Sequence, residues 1–268
     1  MKNSEDTRPL VSIVMPAYNS EKFIHVAIES VINQTYTNWE LLVVNDNSTD
    51  STKIIVEELS IKDSRIKLIN RNVNSGKPSG AKNSALDFVR GEYIAFLDSD
   101  DMWIDKKLEL QISFMIKNKN YVLTYTGGYW INSAGHVIKR FLPKYSDGDN
   151  LKNMLGRYEI NNQSVVVRTN IFKDVVNKFN ETITIGEDYN AFMHILAKYK
   201  IASIKQYLIK YRIHNSGITK SSKRVSDGVL VTLKELDRLY GIKKSYFMRY
   251  FFSFIKAVRF KFVSKKWK

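Results

Sequence analysis

The sequence predicts an α/β protein: a mostly parallel, Rossmann-like sheet with flanking helices, then an irregular region and a basic C-terminal helix. Two observations carry this expectation. Short β-rich runs alternate with longer helical patterns through the first 125 residues, the rhythm of successive βα units. Runs such as Glu-Leu-Leu-Val-Val ending at Val44 and Tyr-Ile-Ala-Phe-Leu ending at Leu97 are almost wholly apolar, as strands covered on both faces should be.

Leu10–Met15 reads as the first strand. The helix after it, over Glu21–Asn33, repeats Phe23, Ala27, Val31 and Ile24, Ile28, Ile32 at spacings of four, a stripe to face the sheet. Strand and helix then alternate as Trp39–Val44 and Asp50–Leu59, Arg65–Ile69 and Ser79–Val89, Glu92–Leu97 and Lys106–Lys117, ending in a strand at Tyr121–Tyr125. After about Thr126 the rhythm weakens into aromatic, loop-rich sequence with Tyr129, Trp130 and a turn at Ser133–Gly135. A strand at Ser164–Arg168, a helix at Asp188–Lys198, a strand at Ile201–Ile209 and a helix at Val225–Tyr240 follow. The chain thus divides into an α/β half (1–126), a second half of the same body (127–242) and a tail (243–268).

With 44% hydrophobic residues, the 268-residue chain can bury a sizeable core. Its 42 Lys and Arg against 27 Asp and Glu give a net charge of +15, which points to an anionic partner: phosphate groups, a lipid surface or nucleic acid. The chain has no cysteine, so any metal must be held by oxygen or imidazole. Met1–Arg8 lacks the features of a signal peptide, and no run of about 18 apolar residues occurs, so a cytoplasmic location is expected, with any membrane contact peripheral.

In an open α/β sheet, ligands gather at the carboxyl ends of the strands. There the sequence places Pro16-Ala-Tyr-Asn19, Asn45-Asp-Asn-Ser-Thr-Asp50 and Asp98-Ser-Asp-Asp101. In an extended segment Asp98 and Asp100 point to one side, a costly pairing unless a hard divalent ion is shared between them and a substrate diphosphate. A solvated acidic loop capping the next helix is the plainer alternative. Asp46 is suited to accept from a nucleobase or ribose, and Tyr18 to stack on a base. Ser48, Thr49 and Asp50 read as a turn and helix cap.

Val11–Asn19, Ser30–Thr35, Val43–Asp50, Gly80–Asn83 and Gly91–Asp101, in this order, resemble the family-2 inverting glycosyltransferases of the GT-A fold, continuously from about residue 10 to 118. The resemblance implies a donor site of Pro16, Tyr18, Asn19, Asp46, Lys82, Asp98, Ser99 and Asp100. In it Asp46 meets the uracil or ribose and Asp98 and Asp100 serve a Mn2+ or Mg2+ ion. Two positions depart from the family pattern: Asn45-Asp46-Asn47-Ser48 replaces Asp-Asp-Gly-Ser, and Lys82 replaces an arginine. Lys82 keeps the charge without the planar fork; an exposed helical lysine is the alternative. Gly186-Glu-Asp188 resembles the family's Glu-Asp motif, which makes Asp188 the catalytic base. Glu187 is read as orienting loops or touching the acceptor, and both it and Asp101 are assigned to the acceptor side. The alternative for Glu187 and Asp188 is a negatively charged first helical turn. Tyr211-Arg-Ile-His214 resembles a segment that in some relatives brings a histidine to the metal. An ordinary surface histidine is the alternative for His214, and His25, His136 and His194 read as structural.

From Lys243 to Lys268 stand nine Lys or Arg and no acid. Phe247, Phe251, Phe254, Ile255, Val258 and Phe262 share one helical face, the pattern of an interfacial helix on an anionic leaflet, although the same stripe suits docking on the protein and the charge suits nucleic acid. The expectation is transfer of a hexose or N-acetylhexosamine from a UDP-sugar to a polyprenyl-diphosphate-linked glycan in bacterial O-antigen or capsule synthesis, at the inner face of the plasma membrane. Another donor nucleotide or a polyprenyl phosphate acceptor is the nearest alternative. A non-enzymatic nucleic-acid-binding protein is disfavoured, because Asp98, Asp100 and Asp101 would face phosphates.

Overall fold

The computed structural model describes residues 8–145, 151–214 and 222–242. Strands β1 (Val11–Ala17), β2 (Trp39–Asn45), β3 (Ile66–Asn70) and β4 (Tyr93–Phe96) are parallel and stand in the order β3-β2-β1-β4. They are linked through α1 (Ile24–Ile32), α2 (Thr52–Lys62) and α3 (Pro78–Leu86). Alternate residues of each strand enter opposite cores, as the period of two requires. Ile13, Met15, Leu41 and Val43 pack with α1 and α2; Val14, Leu42 and Val44 pack with α3. A fully buried aliphatic of this kind contributes about 1.5–3 kcal/mol.

The chain continues with β5 (Met102–Trp103), α4 (Lys107–Lys117), β6 (Tyr121–Ile131), β7 (Val137–Phe141), α5 (Leu151–Gly156), β8 (Val166–Arg168), α6 (Thr169–Val175), α7 (Glu187–Leu196), β9 (Lys200–Arg212) and α8 (Ser222–Tyr240). The whole sheet runs β3-β2-β1-β4-β8-β6-β9-β5, with β7 paired to β6. β8 is antiparallel to both β4 and β6, so the sheet becomes mixed at the point where β8 enters it. Periodicity foretells that a strand exists but not which strand it pairs with, and β8 arrives from more than 60 residues downstream of β4. Phe96, on β4, joins the second half through ring contacts with Phe172, Phe179 and Phe192 at centroid distances of 5.7, 5.4 and 6.0 Å.

The region after Thr126 is more regular than its sequence suggests. β6 runs unbroken to Ile131, turns at Asn132–His136 and returns as β7, so the division at 126/127 falls inside a strand. Gly127 and Gly128 disguise it. A Cβ on Gly127 would lie 2.5 Å from the Phe141 carbonyl oxygen, and one on Gly128 would lie 2.4 Å from Ile209, so only glycine lets β7 and β9 approach here. Among the described residues no helix is long and apolar enough to cross a membrane. The expected basic helix from Lys243 lies outside the described residues.

Candidate functional site

The three polar clusters meet at the carboxyl edge of the sheet, beside β1 and β4. β4 pairs with β1 only through Val14, so Pro16 lies past the end of that ladder. Beyond it, Asn19 takes a left-handed turn (φ 47°) and binds the loop after β2: its Oδ1 accepts from the Thr49 N–H at 2.9 Å, and its own N–H donates to Ser48 Oγ at 3.1 Å. Asp50 accepts from the Thr52 N–H at 3.0 Å and so caps the start of α2. Tyr18 is half exposed, its ring open to a planar ligand.

Asp46 is buried at the end of β2. Its carboxylate accepts from the Ser75 hydroxyl at 2.6 Å and N–H at 3.1 Å, and Arg71 Nε lies 2.8 Å away. Arg71 and Ser75 follow β3, so inspecting the end of every strand would have found them.

The loop after β4 is held from three sides. Ser99 is buried and shares a 2.7 Å hydrogen bond with Ser20, bracing one loop against the other. Asp98 accepts from Asn162 Nδ2 and Gln163 Nε2, each at 3.2 Å. Asp101 is buried, accepting from Gln163 and from the Arg212 N–H at 2.6 Å. Its carboxylate therefore braces the loop from inside. Asp100 Oδ2 lies 2.7 Å from His214 Nε2. Burial raises the Asp98 pKa to about 6; Lys82 opposes the shift, while Asp100, Glu187 and Asp188 add to it. Asp101 is raised too, by burial and then by Asp100 and Asp98. Asn162 and Gln163 were not anticipated; the polar run Asn161-Asn-Gln-Ser164 before β8 is their signal.

Lys82 is buried on α3, with Nζ 2.8 Å from Glu187 Oε1, so the exposed-lysine alternative is overturned. Glu187 is itself buried and holds α7 to α3 through this ion pair, in keeping with a loop-orienting role. Burial opposes the Lys82 charge, but Glu187, Asp98 and Asp188 outweigh it and raise the pKa. Gly186, at φ 96°, makes the left-handed turn that starts α7 with Glu187 and Asp188. Asp188 accepts from the Tyr189 N–H at 2.8 Å. Its pKa is pushed up to about 6, by burial and then by Glu187, with Lys82 pulling the other way. A partly buried carboxylate tuned toward neutrality is suited to general-base work.

Asp100 offers a carboxylate oxygen that suits Mn2+ or Mg2+ completed by substrate phosphate oxygens, with the His214 imidazole nitrogen 2.7 Å from it. Among the described residues no group of three or more His, Asp or Glu forms a ready-made cation cage. Asp98 stands next to this pair, with its oxygens turned to Asn162 and Gln163.

Known structures share this architecture. Residues 1–349 of S. aureus TarS in complex with UDP superpose with a TM-score of 0.72 at 22% identity, over 88% of this chain and 68% of that one. The mannosyltransferase PcManGT of Pyrobaculum calidifontis, in complex with GDP-Man and Mn2+, gives 0.69 at 15% identity, over 93% and 70%. The fold is that of the GT-A glycosyltransferases. Residues 12–163, more than half of the chain, match the family described as glycosyl transferase family 2. The chain is 42% identical over 217 residues to the UDP-Glc:alpha-D-GlcNAc-diphosphoundecaprenol beta-1,3-glucosyltransferase WfgD of Escherichia coli, covering 79% of this chain and 80% of that protein. It is 33% identical over 239 residues to WfaP of Escherichia coli, which carries the same description, covering 88% and 86%. This chain belongs to glycosyl transferase family 2.

Proposed function

We propose that the protein is an inverting transferase that moves a hexose or N-acetylhexosamine from a UDP-sugar to a hydroxyl of a polyprenyl-diphosphate-linked glycan, in bacterial surface-polysaccharide synthesis. The observation that carries this reading is the convergence, on one edge of the sheet, of the Asp100–His214 pair with the Lys82–Glu187–Asp188 cluster. The described activities of WfgD and WfaP support the donor and the lipid-linked acceptor.

In this reading Tyr18 and Asp46 hold the nucleoside, Asp46 oriented by Arg71 and Ser75. Asp100 and His214, with Asp98 beside them, would hold Mn2+ or Mg2+, which when bound neutralises the diphosphate and stabilises it as a leaving group. Asp188 takes the proton of the acceptor hydroxyl as that oxygen attacks the anomeric carbon from the face opposite the diphosphate, which inverts the centre. Lys82 offsets the negative charge of Glu187, Asp98 and Asp188 and keeps Asp188 ionised near neutral pH. The nine cations of the tail would hold the enzyme at the anionic inner face of the plasma membrane.

The test is a screen of UDP-sugars for UDP release, with and without short-chain lipid-diphosphate glycans and with and without chelator. Release that requires both acceptor and divalent ion is expected. Release that ignores the lipid-linked acceptor, or full activity in excess chelator, overturns the corresponding part.

A further inference from the structure

The hairpin of β6 and β7 carries an exposed surface that the donor site does not use. Val137, Ile138 and Leu142 are 57, 56 and 40% exposed, and Lys139, Arg140 and Lys144 beside them are exposed as well. In the register of the sheet Tyr129 lies between Arg140 and Lys210, while Trp130 lies between Lys139 and Tyr211. Lys139 Nζ stands 5.8 Å above the Trp130 ring. From Tyr121 to Tyr145 and from Lys200 to Arg212 there are seven Lys or Arg and no Asp or Glu.

This surface is tied to the acidic loop by one side chain. The Arg212 guanidinium donates to the carbonyls of Asn132 and Ser133 in the hairpin turn, at 3.1 and 2.9 Å, and its Nε donates to the Asp100 carbonyl at 2.8 Å. Whatever settles on the hairpin therefore lies at the rim of the site.

We propose that the β6–β7 hairpin is a docking surface for an anionic lipid bilayer, separate from the C-terminal tail, and that it presents the bilayer's head groups to the rim of the Asp98–Asp101 site. Exposed aliphatics with aromatic rings and cations alongside match a lipid interface in both its apolar and its anionic character, and the acid at the foot of the hairpin, Glu159, is taken up by the Tyr125 hydroxyl and the Lys144 and Tyr145 N–H groups. The chain's own tail, with nine cations and no acid, is the wrong charge to cover it. A second copy pairing through β7 would set Lys139 and Arg140 against the same cations, the arrangement by which edge strands resist self-association. The inference rests on the reading of a lipid-linked acceptor.

The experiment uses the full chain with vesicles of phosphatidylcholine, alone or mixed with phosphatidylglycerol. The variant Lys139→Glu/Arg140→Glu is expected to bind the anionic vesicles at least about tenfold more weakly, because two attractive charges become repulsive. Its melting temperature and its turnover of a soluble acceptor are expected to stay unchanged. In Ile138→Trp, the emission added relative to the unmodified chain is expected to shift to the blue only with anionic vesicles. Unchanged vesicle binding by the charge variant, or no shift in Ile138→Trp, overturns the proposal. A concentration-dependent dimer of the unmodified chain that the charge variant abolishes also overturns it, in favour of a second copy. Absence of soluble-acceptor turnover in the unmodified chain would count against the proposed function while leaving the vesicle result to decide the hairpin.

Discussion

The two ends of the central sheet each bury carboxylates, and they treat them in opposite ways. At the amino end, Glu40 on β2 accepts from Ser12 Oγ at 2.7 Å, Lys67 Nζ at 2.9 Å and Arg90 Nη2 at 2.6 Å. Burial alone would raise its pKa, but Arg90, Ser12 and Lys67 reverse the sign and hold it below the ordinary value. At the carboxyl end, Asp98, Asp101 and Asp188 are all pushed up, because burial adds to repulsion between acids, which Lys82 offsets only in part at Asp98 and Asp188, and hydrogen bonds from Arg212 and Gln163 only in part at Asp101. Donors surround the first carboxylate and fix structure; acids crowd the second group and leave it reactive. Crowding of this kind marks a site that binds or works on charge.

If that contrast is right, changes at the two ends should separate activity from stability. The largest effect is expected at Asp100: Asp100→Ala should abolish divalent-ion-dependent transfer and weaken UDP-sugar binding, read by calorimetry with UDP in the presence of Mn2+. Asp188→Asn should lower kcat at least about a hundredfold, the contribution of a positioned base, while UDP affinity stays within error. If binding falls as far as the rate, Asp188 belongs to the donor site. The unmodified enzyme should lose kcat as pH drops through about 6, since Asp188 works only when deprotonated. Lys82→Met should move that limb to higher pH, because Asp188 loses the cation that opposes its upward shift. A displacement of one unit would slow turnover about tenfold on the acid side. Lys82→Arg, keeping the charge, should restore the limb. An unmoved limb in Lys82→Met would remove Lys82 from the tuning of the base.

Much of this contrast was legible in the sequence, on one side only. The positions of β1 to β4 and the acids following them were readable because buried parallel strands are apolar throughout and polar residues stand out where they end. What surrounds those acids was not readable. Lys82 is buried on α3 against Glu187 of α7, but helical periodicity alone left that lysine free to face solvent. Asn162 and Gln163 reach Asp98 from 64 and 65 residues away, through a β8 insertion that no local pattern announces. Nor could the sequence show that Arg212 binds Asp101 and Lys82 binds Glu187, pairings that only the closed sheet creates. Sequence supplied the chemistry of the edge, and tertiary contacts decided which of its acids remain exposed to work.

The amino end offers the converse test, in which turnover should hold while stability falls. Glu40→Gln preserves the shape of the side chain but removes its charge, so the bonds from Arg90 and Lys67 lose their ionic partner. Hydrogen bonds to a charged group are worth about 1.5–3 kcal/mol, and because both cations are well exposed and can rehydrate, the net loss belongs at the lower end of that range. For a chain of this size each kcal/mol moves the melting temperature by roughly 2–4 °C, so a drop of a few degrees is expected at neutral pH. A carboxylate whose folded pKa is depressed stabilises the fold above its unfolded value and loses that contribution as pH falls through the folded one. The gap between Glu40→Gln and the unmodified protein should therefore narrow in acid, the unmodified protein descending toward the variant. Melting curves from pH 7 down to about pH 4 would read the gap, and kcat at pH 7 should be unchanged throughout. A variant that melts normally but turns over slowly would join the two ends of the sheet functionally and dissolve the contrast; a gap that widens in acid would show that Glu40 is not held as its ion pairs indicate.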